Sequence, residues 1–260
     1  MYANDSKDSI NLSSYNPYQA ADVVPERGRC LSLLHEPNYL PASSGIEWIK
    51  HAWRIFLLRP LFWVGMGLCY IAILMVASWI PILNILSALL NIFLLAGMAY
   101  MAHLTDMGNE ANIGDLFVGF KQNTLQLTIL FLLTMVCIAV IVVPVAVVVR
   151  VIGIGIDDIG SLSLLVVGFV VLSVLLIAIP LAMAMFFAPI LVLLHDLYAI
   201  EAMKLSFKAC ARNMLPFLVY AVVIALINVV AAIPLGLGYF VAFPLALLAI
   251  YASYQQILLG

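Results

Sequence analysis

From residue 61 onward the chain alternates long apolar runs with short polar clusters, and the runs define its elements. Six of them, 61–80, 82–104, 124–149, 161–194, 214–233 and 235–255, hold no Asp, Glu, Lys or Arg in their interiors. About 20 apolar residues suffice to cross roughly 30 Å of hydrocarbon as a helix. Inside hydrocarbon the backbone has to satisfy its own hydrogen bonds, so each run is read as a helix. Trp79-Ile80-Pro81 marks a tight turn between the first two runs, and Pro234 to Gly238 another between the last two. The fourth run is longer than one crossing needs. Pro180 and Pro189 are expected to kink it, with its end running along the interface.

The segments ahead of the first, third and fifth runs resemble one another. In GIEWIKHAWRIFLL, Ile46, Ile49, Trp53 and Phe56 step by three and four, the spacing of one helix face. Glu47, Lys50, His51 and Arg54 occupy another face, and Ser44 with Glu47 forms a candidate capping box. Ile200, Met203, Phe207 and Cys210 repeat the apolar set, while Glu201, Lys204 and Lys208 match Glu47, Lys50 and Arg54. The middle segment aligns Ile113, Leu116, Phe120 and Lys121. Such helices are too short and too charged to span, and are expected to lie flat at the interface with the basic face toward anionic headgroups. The expected architecture is all-α: a polytopic transmembrane helix bundle of about six spans in three hairpins, each preceded by an in-plane amphipathic helix. The units run roughly over 45–104, 112–194 and 197–256 within a membrane domain of 45–260. Residues 1–44 are polar, show no helical or strand period, and read as a flexible tail.

Composition agrees with this pattern. Hydrophobic residues make up 66% of the chain and charged ones 9%, with a mean hydropathy of +1.17. A soluble domain carries roughly a quarter charged residues, so lipid has to cover much of this surface. The basic residues near the span ends collect on one side: Lys50, Arg54, Arg59, Lys121, Lys204, Lys208 and Arg212. The other side has Arg150, beside Asp157 and Asp158. The first side is therefore expected to be cytoplasmic, with both termini there, and its seven cations are candidate contacts for anionic lipid headgroups. A net charge of −2 argues against a nucleic-acid partner. The first forty-odd residues lack the apolar core of a cleavable signal, so the first span is expected to act as its own insertion signal. Cys30, Cys69, Cys137 and Cys210 are dispersed, and no disulfide framework is expected.

Several stretches carry a resemblance to a known family: GIEWIKHAWRIFLLRPLFW, SWIPIL, IGDLFVGFKQN, FAPILVLLHDLYAIEAMKLSFKACARNMLPFLVY, PLGLG and YASYQQI, in that order. They resemble an uncharacterised family of bacterial six-span inner-membrane proteins over roughly residues 42–256. The resemblance implies a bacterial inner-membrane location and brings no activity, substrate or site residues. A fainter likeness in layout reaches the membrane domain attached to some glycerophosphodiester phosphodiesterases, whose catalytic domain has no counterpart in this sequence.

Candidate chemistry is sparse. Coupled transporters usually place an ionisable residue inside the membrane, and these span interiors hold no acid or base. Asn84, Asn91, Thr128, Thr134 and Asn228 are the deep polar positions. Interhelical hydrogen bonds, worth on average about 0.6 kcal/mol, are the plain account of them. Lining of a substrate path is the functional alternative, with Asn91 and Asn228 the foremost candidates. His195-Asp196 and His103 with Asp106 close apolar runs and read as interface boundaries, Asp196 suiting the start of the next helix. Asp157-Asp158 lacks further carboxylates for a cation site. Gly65 with Gly67, and Ala221 with Ala225, are small-residue patches for helix packing.

These features lead to an integral inner-membrane protein acting as a non-catalytic accessory or scaffold, with a membrane-protein partner and no cofactor or metal. The alternative is a transporter or lipid-handling protein, which requires a cavity reaching toward Asn91 or Asn228. A third reading, an intramembrane enzyme, requires His195, Asp196, His103 and Asp106 to converge.

Overall fold

The computed structural model describes residues 33–34, 36–79, 83–155, 161–233 and 236–259. Asp157, Asp158 and Cys30 lie outside the described residues, as do the side chains of Asn84 and Arg150. The helices are α1 (Ser44–Leu58), α2 (Pro60–Ser78), α3 (Leu83–Asp106), α4 (Thr124–Gly155), α5 (Ser161–Phe186), α6 (Ala188–His195), α7 (Ala199–Arg212), α8 (Met214–Ala232) and α9 (Tyr239–Leu258), with a 3-10 helix, Ile113–Phe120, ahead of α4. Among the described residues, five helical segments are long and apolar enough to cross a membrane. The count rises to six if the 3-10 helix and the start of α4, bent by 71°, form one span. The charge-free runs thus become helices with ends close to those expected, because each lacks the charges that hydrocarbon would reject.

α3 is the central element. It touches α2, the 3-10 helix, α4, α6 and α9, and 72% of its apolar stretch is buried against 11% for α8. Small residues make this possible: Ala96, Ala99 and Ala102 are buried on α3, and a Cβ at Gly97 would lie 2.0 Å from the Leu116 carbonyl oxygen.

The fourth apolar run is broken as expected, at Phe187 between α5 and α6. Pro180 stays inside α5, and Pro189 sits in the first turn of α6. The break opens the hydrogen-bond ladder, and Ser206 of α7 enters it. Its hydroxyl donates to the Met183 carbonyl at 2.7 Å and accepts from the Phe187 N–H at 2.9 Å. One side chain so satisfies both groups that the kink released.

Two expectations are corrected. Ser44 is helical and buried rather than a cap, since α1 begins after Ser43 and makes no side-chain cap bond. The middle segment is a 3-10 helix, started by Asp115 Oδ2 accepting from the Asn112 N–H at 2.8 Å. Asp196 lies just ahead of α7, two residues before its N-cap Tyr198. It adopts a left-handed φ of 54° and accepts from Asn123, itself at φ 56°, at 2.5 Å. Asn and Asp tolerate that region better than other side chains. Gln126 of α4 accepts from the Ala199 N–H at 3.1 Å.

Residues 33–34 and 36–40, within the stretch read as a tail, run along the ends of α7 and α9. Leu34 N donates to Leu258 O at 2.9 Å and Asn38 N to Ile257 O at 2.8 Å. Asn213, buried, donates to Asn38 O at 2.8 Å and accepts from Leu40 N at 2.9 Å.

Candidate functional site

α1 presents three stripes. Gly45, Trp48, Ala52 and Ile55 are buried, Ile46 and Trp53 are exposed and apolar, and Glu47, Lys50 and Arg54 are exposed and charged. The apolar set read from the sequence is therefore split: Phe56 is buried and Ile49 half-buried, while Ile46 and Trp53 face outward. The buried face works by close approach. A Cβ at Gly45 would lie 2.4 Å from Pro216 O, and Trp48 donates its indole N–H to Gln256 Oε1 at 2.9 Å. On α7 the buried residues Ala199, Ala202, Ser206 and Ala209 fall at the positions that the alignment of Lys50 with Lys204 pairs with Gly45, Trp48, Ala52 and Ile55.

Docked in this way, α1 walls a groove of about 740 Å³ together with α8 and α9. Ile49, Trp53, Ile227 and Val241 line it, and Lys50 and Arg54 are the charged residues among its lining. Its volume lies within the roughly 300–1,000 Å³ of small-molecule sites. A second groove of about 590 Å³ lies between α2, α3 and α9, and includes Tyr70, Asn91 and Ser87.

The seven basic residues are all exposed, and their surroundings differ. Lys208 and Arg212 meet Glu36 at 3.3 and 3.6 Å. The Lys208 hydrogen bond and charge, followed by Arg212, hold the Glu36 carboxyl below its usual range. Arg59 donates to Ala111 O at 3.3 Å and lies 4.7 Å over the Phe62 ring. Lys121 follows the 3-10 helix and Lys204 lies on α7, away from the groove lining. Among the described residues Lys50 and Arg54 alone of the seven line the larger groove, and neither makes an ion pair.

The deep polar residues divide. Tyr70 donates to Asn91 Oδ1 at 2.5 Å, joining α2 to α3 within the second groove. Asn228 donates instead to Ile224 O of its own helix at 2.9 Å, and Thr128 likewise to Thr124 O at 2.8 Å. Thr134 donates to Leu130 O at 2.7 Å and contacts the Met185 sulfur at 3.1 Å. Of the two small-residue patches, Gly67 packs on Phe243 and Pro244, Gly65 meets open space, and Ala221 and Ala225 are exposed.

A polar network that the sequence reading did not anticipate closes the end of the bundle where α1, α3, α6 and α9 meet. His51 Nε2 lies 3.0 Å from Asp106 Oδ1. Gln255 donates to Asp106 Oδ2 and to the Tyr251 hydroxyl, both at 2.7 Å. Tyr251 in turn lies 3.1 Å from Nδ1 of the buried His103, and His195 Nε2 bonds the Tyr254 hydroxyl. His51 thus turns inward rather than toward headgroups. His103 and Asp106 are joined through Tyr251 and Gln255, whereas Asp196 is engaged by Asn123. The available signal was the spacing of Tyr251, Tyr254 and Gln255, which shares one face of α9 as does His103 with Asp106 on α3. Among the described residues no group of three His, Cys, Asp or Glu side chains is placed to hold a metal ion.

Asp106 accepts from both α1 and α9, so Asp106→Ala is expected to cost about 1–3 kcal/mol through the donors it strands. Thermal unfolding in detergent checks this. An unchanged midpoint would mean that the carboxylate does not tie the helices.

Comparison with known proteins adds a family. The chain is 27% identical over 195 residues to a probable inner membrane protein of Burkholderia thailandensis, covering 69% of this chain and 71% of that protein. No solved structure matches the chain. Residues 49–258, from within α1 to the end of α9, match a family described as a domain of unknown function, DUF7847. Its apolar helices make the protein an integral membrane protein, and the span of the match makes it a member of the DUF7847 family.

Proposed function

We propose that this protein handles lipid in the bacterial inner membrane, holding one lipid molecule in the lateral groove between α1, α8 and α9. The groove supports this reading: about 740 Å³ of largely apolar space at the side of a membrane protein, with cations in its wall. A groove so placed is bathed by acyl chains and is a natural seat for one of them. The basic residues near the span ends support placing the α1 end at the cytoplasmic leaflet. A scaffold, the role expected first from the sequence, has no need of such a groove.

Lipid analysis of the protein purified in mild detergent tests the proposal. A lipid enriched over the bulk membrane is expected with the wild type and lost in Ile227→Trp, which fills the groove from its half-buried wall. Bulk-like lipid in both proteins, or a stoichiometric protein partner with no enriched lipid, would remove it.

A further inference from the structure

We infer that the occupant of this groove is an anionic phospholipid, its phosphate held by Lys50 and Arg54 and an acyl chain lying along Ile227 and Val241; this rests on the lipid-handling reading. Lys50 and Arg54 stand four residues apart on one helix, so their side chains neighbour each other. Both line the groove. The corresponding stripe of α7 supplies an internal contrast. There, Lys208, the counterpart of Arg54, shares Glu36 with Arg212 at 3.3 and 3.6 Å, while Lys204, the counterpart of Lys50, lies away from the groove. On α1 the nearest acid, Glu47, is exposed and makes no ion pair with either cation. Two neighbouring positive charges without a counter-ion among the described residues, over an apolar trough, complement an anionic headgroup with its chain below. Trp53, in the same wall, supplies the amphipathic ring favoured at headgroup depth. A free anion would use the cations and leave the trough unfilled; a neutral lipid would do the reverse.

Native mass spectrometry of the full chain titrated with phosphatidylglycerol, phosphatidylcholine or inorganic phosphate tests the inference. The wild type is expected to prefer phosphatidylglycerol by roughly 5- to 30-fold, the effect of one or two headgroup cations. Lys50→Gln with Arg54→Gln should abolish the preference, weakening phosphatidylglycerol far more than zwitterionic phosphatidylcholine. Lys208→Gln with Arg212→Gln should keep the preference. Val241→Trp should weaken both lipids, and Ile227→Trp, from the other wall, repeats that test should the first variant not fold. A wild type without preference overturns the inference and leaves the groove reading standing. Undiminished binding of both lipids to folded Trp variants overturns both readings. Displacement of phosphatidylglycerol by millimolar phosphate alone assigns the cations to a free anion and also overturns the inference.

Discussion

Gly97→Ala is expected to lower the thermal midpoint of the detergent-purified protein by on the order of 2–8 °C. The added methyl would stand 2.0 Å from the Leu116 carbonyl oxygen, 2.7 Å from its carbon and 3.0 Å from its Cα. All three are backbone atoms, so no rotamer change relieves the clash. The 3-10 helix has to move off α3 as a body. Its departure would expose Leu116, now fully buried, and separate Phe120 from Phe93, whose rings stack at 4.4 Å. Overpacking costs about 1–3 kcal/mol and occasionally more. Alanine's better helix propensity returns only about 1 kcal/mol. Gly114→Ala, in the same 3-10 helix with nothing within 4 Å of the new methyl, is the matched control and should melt like the wild type. Equal midpoints for the two variants would show that α3 and the 3-10 helix are not in this close contact.

Trp48→Ala is expected to destabilise by about 3–5 kcal/mol and to loosen α1 before the rest of the bundle. The indole is fully buried, 5.0 Å from the Phe217 ring and 6.2 Å from that of Tyr220. Truncation removes these contacts and leaves Gln256 Oε1 without its donor. The loss is chiefly of close packing, because expulsion of water contributes little between helices that lipid would otherwise cover. Hydrogen exchange reads this regionally: amides of Ser44–Leu58 should exchange faster while those of α3 stay protected. Trp48→Phe keeps most of the ring and should show a smaller effect. Trp53→Ala, at a position 43% exposed, should leave the protection of α1 unchanged. Uniform loss of protection across α1 and α3 would mean that α1 does not open as a unit.

The helical segments were legible in the sequence to within a few residues at most ends. The run 82–104 became Leu83–Asp106, and 214–233 became Met214–Ala232. α4 runs on to Gly155, past Arg150, because one cation near a span end does not stop a helix. At the candidate site the residue types were legible and their partners were not. Lys50 and Arg54 were marked as headgroup contacts among seven equivalent cations. Only the docking of α1, allowed by Gly45 against Pro216 and Tyr220, separates these two from Lys208 and Arg212. His51 read as one more residue on a solvated face, since its partner Asp106 lies 55 residues away.

By itself the sequence determined which stretches live in hydrocarbon. The cost of burying a charge in lipid is local and accumulates residue by residue along the chain. The tertiary structure decided which groups meet: Ser206 mending the break at Phe187, Gly97 admitting the 3-10 helix, and Gln255 bridging Asp106 and Tyr251. Those pairings depend on contact distances held to within a few tenths of an ångström between residues remote in sequence, and no local pattern of polarity encodes them.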